Sequence, residues 1–225
     1  MKKTLLLSLL CMILALPVMA QHGYRYAYNP RVQTVGRHGN EYVAWHRYYI
    51  GLRVGLNASH VNSDSPLLDG SGVKSGLNVG VVAGTQLTYR APLFLETGLY
   101  YTQKGGKSGS GADKFTYDLN YLELPLLIKY KHFVGNQTSI QPYAGGYVAV
   151  GTDGNIKNYG SRTAFSSFDD GYFKRVDGGL KIGCGVGFNM LYLDASYDIG
   201  LANVGQDHFD NTHNGCFTLN VGVNF

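Results

Sequence analysis

Between Tyr48 and the last residue, Phe225, apolar side chains recur at every second position in eight separate runs. A period of two is the mark of a strand with one apolar face. In Tyr48 to Ser59 the even positions hold Tyr48, Ile50, Leu52, Val54, Leu56 and Ala58, while the odd ones hold Tyr49, Gly51, Arg53, Gly55, Asn57 and Ser59. The same alternation runs through 75–90, 93–104, 121–130, 140–151, 177–189, 192–201 and 216–225. A chain patterned in this way has to become a sheet, and the open question is which surroundings meet its apolar face.

A soluble sandwich also has strands with one apolar face, so alternation alone does not choose between a sandwich and a membrane barrel. Three further features favour the barrel. Every second connection between runs is short and the others are long, as in barrels whose turns on one side of the membrane are tight. With both termini on the periplasmic side, the apolar-face residues at that end are Tyr48, Tyr89, Leu93, Tyr130, Phe188 and Phe225, nearly all aromatic, as an interfacial girdle requires. The opposite face is polar and glycine-rich, which suits a narrow lumen. The predicted fold is all-β: an eight-stranded antiparallel up-and-down transmembrane β-barrel with short periplasmic turns and longer extracellular loops. Hydrocarbon offers no water to unpaired backbone groups, so such a sheet must close on itself. At eight strands side chains fill the interior, and no wide aqueous pore is expected.

The first twenty residues, MKKTLLLSLLCMILALPVMA, join two early lysines to an apolar run and a small-residue end, the pattern of a secretory signal peptide cleaved after Ala20. The expected organisation is a signal peptide over 1–20, a periplasmic leader over 21–46 and the barrel over 47–225. Beyond residue 20 no apolar run reaches the ~20 residues of a spanning helix. Without Lys2 and Lys3 the net charge falls from +4 to +2, too small to imply a nucleic-acid surface. Cys184 and Cys216 match neither zinc spacing nor a redox pair, and by parity one faces lipid and the other the lumen. No disulfide is expected between them, and no cofactor is implied.

By the same parity Arg53, Glu96, Glu123, Lys129, Lys181, Asp194 and Asp198 all point inward. An unpaired charge at the lipid-facing midplane costs ~2 to 4 kcal/mol, so this one-sidedness fits spanning strands whose charges pair within the lumen. Pro125 sits awkwardly in the fourth run, because a closed sheet has no edge to accommodate a missing N–H; a bulge or a lumenal water beside it is expected. Asp207, His208, Asp210 and His213 gather in the last outside loop and could ligate a transition metal, though a solvated loop gives the same composition. Ser59 and His60 are adjacent, so on a regular strand they point to opposite faces and cannot act as nucleophile and base. The aromatic third loop, with Tyr159, Phe165, Phe168, Tyr172 and Phe173, fits either a partner or lipopolysaccharide contact or a lid over the barrel mouth.

The fourth run, YLELPLLIKY, resembles the signature strand of PorT-like, porin-family outer-membrane β-barrel proteins. The similarity extends to IQPYAGGYVAVG, GLKIGCGVGF, LYLDASYDIGLANV and the terminal Phe225, so it covers nearly all of the chain after the leader. Where relatives often carry an arginine in the seventh strand, this chain has Ser196. The resemblance implies an outer-membrane barrel and a C-terminal strand, ending at Phe225, that the barrel-insertion machinery reads. Most such proteins are described only as barrels, and one is implicated in secretion across the outer membrane. The combined expectation is a non-enzymatic surface or envelope interaction protein, with outer-membrane lipid and an unidentified envelope or extracellular protein as partners and no nucleic acid. Assistance to protein secretion or transport is the alternative.

Overall fold

The computed structural model describes residues 48–62, 70–88, 91–108, 115–134, 137–158, 163–166, 174–204 and 212–225. The expected signal peptide and leader, Tyr89, and the loop residues Asp207, His208 and Asp210 lie outside these segments. In chain order the strands are β1 (Tyr48–Asn62), β2 (Gly70–Gln86), β3 (Leu93–Ser108), β4 (Phe115–Tyr130), β5 (His132–Phe133), β6 (Thr138–Asp153), β7 (Asn155–Asn158), β8 (Thr163–Ser166), β9 (Val176–Phe188), β10 (Leu191–Gly200) and β11 (His213–Asn224). Three of them, β5, β7 and β8, are short decorations, and the other eight carry the fold.

The long strands follow one another around a ring, and β1 pairs with β2 on one side and with β11 on the other. The β4–β6 ladder supplies the remaining closure, and every pairing is antiparallel. Each long strand therefore has a neighbour on both edges, which is how a spanning sheet satisfies its N–H and C=O groups without water. Hairpin β9–β10 turns through Asn189 and Met190, with Asn189 at φ 53°, the positive φ that two-residue hairpin turns favour. This turn, the 87–92 and 131–137 connections, and residues Tyr48 and Phe225 mark one end of the barrel, its inner end.

At the outer end the strands run further than the alternating stretches imply. β1 continues to Asn62, β2 begins at Gly70, and β3 and β4 reach Ser108 and Phe115, so the first two outer connections shrink to 63–69 and 109–114. The two later ones, 154–175 and 201–212, remain long, and the former holds the β7–β8 hairpin, which continues the sheet from the outer part of β4. Register irregularities gather here as well, between Ser59 and Val61, between Ser71 and Asn78, and between Asn120 and Tyr121. Alternation fades in these extensions because their outward face meets no hydrocarbon, which is why the sequence pattern ends before the strands do.

Pro125 causes no bulge. The β3–β4 register is the same on both sides of it, Thr97 opposing Leu126 and Tyr100 opposing Glu123. What is lost is local ladder pairing between those two points, where the proline has no N–H to donate. The hydroxyl of Thr97 donates to the Pro125 carbonyl at 2.8 Å.

Candidate functional site

The barrel's two faces differ in chemistry strand by strand. Leu122, Leu124, Leu126, Ile128 and Tyr130 are exposed on β4, and Leu180, Ile182, Val186 and Phe188 on β9. From Ile140 to Val150 the outward positions of β6 cover about 33 Å of strand, or about 23 Å at a ~45° tilt, close to the ~25 Å apolar band of an outer-membrane barrel. Tyr48, Tyr130, Phe188 and Phe225 are exposed around the inner end. Tyr101, Tyr197 and Phe217 form a counterpart toward the outer end, which the sequence reading did not single out. A signal was present: each is the last aromatic of apolar parity before its strand leaves the band.

Inside, the seven charged residues chosen by parity are all buried: Arg53, Glu96, Glu123, Lys129, Lys181, Asp194 and Asp198. They fall into two networks. In the outer one Lys104 Nζ lies 2.8 Å from Glu123 Oε2 and 3.0 Å from Asp198 Oδ2, while Lys181 Nζ lies 2.8 Å from Glu123 Oε1 and 3.0 Å from Asp198 Oδ1. Two ammonium groups and two carboxylates thus close a square drawn from β3, β4, β9 and β10. Lys104 also stands 4.3 Å from the centre of the Tyr147 ring. Beside the square, Asp177 is wholly buried and accepts from Asn214 Nδ2 at 2.9 Å and from the Gly178 N–H at 2.7 Å.

The inner network centres on Glu96. Its Oε2 accepts from Lys129 Nζ at 2.8 Å and from the hydroxyl of Tyr49, with Arg53 Nη2 at 3.9 Å. Lys129 Nζ also donates to the Tyr192 hydroxyl at 2.9 Å, and Arg53 lies 4.2 Å above the Tyr192 ring while donating to Asn224 Oδ1 at 2.7 Å. Asp194 accepts from the Tyr143 hydroxyl. Buried charges persist only when paired and hydrogen-bonded, because taking each out of water costs several kcal/mol. Between the charged residues of β1 and β3, neutral side chains complete the filling along the β1, β2, β3 and β11 wall, with Asn57 linking Thr102 and Thr218 and with Asn78 donating to Asn220.

Lys104 and Asp177 are not among the inward charges read from the sequence, because they lie at the outer ends of their alternating runs. The lumenal tyrosines were not singled out for another reason: parity turns Tyr49 and Tyr192 inward, but tyrosine is also a girdle residue, so residue type alone does not mark a lumenal role. Tyr49, Tyr100, Tyr143 and Tyr192 lie across glycines of neighbouring strands. A Cβ on Gly84 would come within 2.3 Å of the Tyr49 ring, on Gly80 within 2.4 Å of Tyr100, on Gly183 within 2.5 Å of Tyr143, and on Gly185 within 2.1 Å of the Tyr192 hydroxyl. The inward glycines are therefore berths for these rings, and together they fill a narrow lumen.

Toward the outer end the interior is capped by Val61, Leu119, Tyr121, Tyr147, Ala149, Ile156 and Val204, a buried apolar cluster. Between the two ion networks lies a void of about 10 Å³, room for about one water, bordered by Pro125, Tyr100, Lys181 and Asp194 among others. Such a void is far too small for a solute to pass.

The other candidates separate cleanly. Ser59 is buried and donates to the Gly105 carbonyl at 2.9 Å, whereas His60 lies on the outward face beside Gly215 and Tyr197. Cys184 is exposed, Cys216 is buried, and both are free thiols. His213 places Nδ1 3.1 Å from the Ala202 carbonyl oxygen, and its three companions in the candidate metal loop are outside the described residues.

A family model described as outer membrane protein beta-barrel domain matches residues 20–206. Among solved structures the chain is similar to Ail, the attachment invasion locus protein of Yersinia pestis, at 16% identity over 80% of this chain and 100% of that one, with a TM-score of 0.44. It is also similar to Neisserial surface protein A, at 17% identity over 80% and 98% with a TM-score of 0.46. A major outer membrane protein from Thermus thermophilus gives 16% identity over 80% and 100% with a TM-score of 0.47. No curated protein matches the sequence.

Proposed function

The chain belongs to the outer membrane protein beta-barrel domain family, and from that premise we propose that it is a non-enzymatic envelope protein, anchored in the outer membrane by its barrel, that works through the surfaces at its two ends. The observation that carries this reading is the lumen itself. Among the described residues, paired charges, tyrosines and an outer apolar cap fill it, and the void between the ion networks has room for about one water. A barrel filled in this way holds surfaces in place and has no room for solute flux. The charge network of Arg53, Glu96, Glu123, Lys129, Lys181, Asp194 and Asp198 serves as the polar core of that anchor. Tyr48, Tyr89, Tyr130, Phe188 and Phe225 serve as its periplasmic interface, and the last strand as the segment presented to the insertion machinery. The partner is an envelope or extracellular protein, met through the outer loops.

Reconstitution into planar bilayers tests the anchor reading. The expected record is a quiet membrane, and steady open channels at low voltage would defeat it. The similarity of YLELPLLIKY and its companion strands to PorT-like proteins supports a second reading, a part in secretion across the outer membrane. Deleting the gene separates the two: secreted-protein levels stay unchanged under the first and fall under the second.

A further inference from the structure

Lys131 follows the last residue of β4 and lies beyond the interfacial Tyr130. Its parity turns it inward, and its ammonium is seated 3.8 Å from the centre of the Tyr49 ring and 4.1 Å from that of Phe94, at the inner mouth of the barrel. No carboxylate among the described residues pairs with it. Glu96, the carboxylate whose charge reaches it, already serves Lys129, Arg53 and Tyr49. Counted together, the inner network sets Arg53, Lys129 and Lys131 against Glu96 and Asp194, an excess of one positive charge.

The balancing negative charge is remote. Asp177 belongs to the outer network and is level with Glu123 through the ladder, since Asp177 opposes Ala149 and Ala149 opposes Glu123. From Glu123 to Lys131 is about 26 Å of strand. Across that distance the charges cannot pair, so among the described side chains the mouth keeps its excess. Aromatic faces hold the half-buried Lys131 ammonium in position but leave its N–H donors without a protein acceptor among the described residues, open to the mouth.

We propose that the inner mouth is an anion site, in which Lys131, held on Tyr49 and Phe94 and backed by Lys129 and Arg53, receives one oxyanion, a phosphate, sulfate or carboxylate group, from the periplasm. The chemistry that selects it is the unfilled donor set of one ammonium and the uncompensated charge behind it. Burial pushes the Lys131 amine down to about 7, Lys129 and Arg53 add to the effect, and Glu96 opposes it. Facing Lys131 and its neighbours are Tyr49 and Arg53 from β1, Glu96 from β3, Lys129 from β4, Tyr143 from β6, and Tyr192 and Asp194 from β10. An anion beside Lys131 favours the ammonium form, so binding and protonation reinforce one another.

The test is isothermal titration of the full chain, folded in detergent micelles, with sodium sulfate at constant ionic strength, sodium chloride serving as the control for screening. Sulfate keeps its charge over the range used. The expected result is saturable one-site binding that weakens about tenfold between pH 6 and pH 8, as the ammonium fraction falls about tenfold across an amine titrating near 7. Lys131→Met abolishes it, and Lys131→Arg retains it with the same affinity at both pH values. A parallel titration with sodium acetate distinguishes a carboxylate from a tetrahedral oxyanion as the source, and saturable binding of either sustains the site. The proposal is overturned if neither anion gives saturable heat, or if Lys131→Met, shown to be folded by its heat-modifiable gel mobility, binds as the parent does.

Discussion

Replacing Lys104 by methionine should be among the most damaging single changes in the lumen, and the outer ion square shows why. The ammonium lies 2.8 Å from Glu123 and 3.0 Å from Asp198, and its side chain is fully buried. Without it, Glu123 and Asp198 share Lys181 alone, with Asp177 close by and the apolar cap closing the interior above them. Methionine retains most of the stem's volume, so the cavity contribution is small and the loss is mainly that of a charge partner. Breaking a buried pair by removing one member costs about 3–5 kcal/mol, far more than the net value of the intact pair. The double variant Lys104→Met with Glu123→Gln removes one charge of each sign and leaves Lys181 to Asp198. Its loss should therefore be smaller than that of the single variant, with a coupling energy of at least about 2 kcal/mol. The assay is urea-dependent folding into lipid vesicles, with the folded fraction read from the mobility of unboiled samples on gels. If Lys104→Met costs less than about 1 kcal/mol, or the double variant is simply the sum of the singles, the square does not carry the energy assigned to it.

On the outward face, Leu126→Arg places a charge in the middle of the apolar band of β4 and should cost about 2–4 kcal/mol in the same vesicle titration, with little effect in a detergent that lets the side chain reach water. Cys184 should react with a membrane-permeant maleimide in folded protein while Cys216 reacts only after unfolding, and the mass measured without reductant should correspond to two free thiols. Lys131 gives a pH signature. In the folded chain its amine has lost its proton above about 7, whereas the unfolded chain holds it up to the usual lysine range. The unfolded state then binds more protons, so stability should rise with pH across that window and fall again as pH drops toward 7. The difference between parent and Lys131→Met isolates this contribution, and a difference flat in pH would refute it.

Much of the architecture could be read in the sequence because a membrane imposes the same demand on every strand. Leu122, Leu124, Leu126 and Ile128 must alternate with Glu123, Pro125, Leu127 and Lys129 wherever hydrocarbon covers one face, and the parity of a single run predicts the direction of each charge in it. The apolar half of the pattern weakens where hydrocarbon ends. Lys104 and Asp177 share the inward parity of Glu96 and Lys181 but stand at the outer ends of their runs, so two of the members that make the outer network three carboxylates against two lysines were not singled out. Nor does one-dimensional pattern say which residues meet: Lys104 reaches Asp198 and Lys181 reaches Glu123 only because closure brings β3 and β4 opposite β9 and β10. Tyrosines posed a third difficulty, since one residue type serves the interface at Tyr130 and the lumen at Tyr192. Parity turns Tyr192 inward and Tyr130 outward, but the glycine that seats an inward ring is set by register.

Pro125 shows how a closed barrel tolerates a residue that a sheet interior normally rejects. A bulge would have shifted every residue beyond it by one and sent Glu123 or Leu124 to the wrong face, which hydrocarbon penalises by several kcal/mol. Losing a short stretch of ladder is cheaper. The Thr97 hydroxyl donates to the Pro125 carbonyl, and the proline ring borders the small void between the ion networks. Register is thereby preserved, Tyr100 still opposes Glu123, and Glu123 still reaches both lysines of the square. The irregularity that looked most awkward in the strand is thus confined to the short stretch between the Thr97–Leu126 and Tyr100–Glu123 pairs. The two networks it separates keep opposite charge imbalances among the described residues, negative toward the capped outer end and, with the Lys131 amine protonated, positive toward the inner mouth.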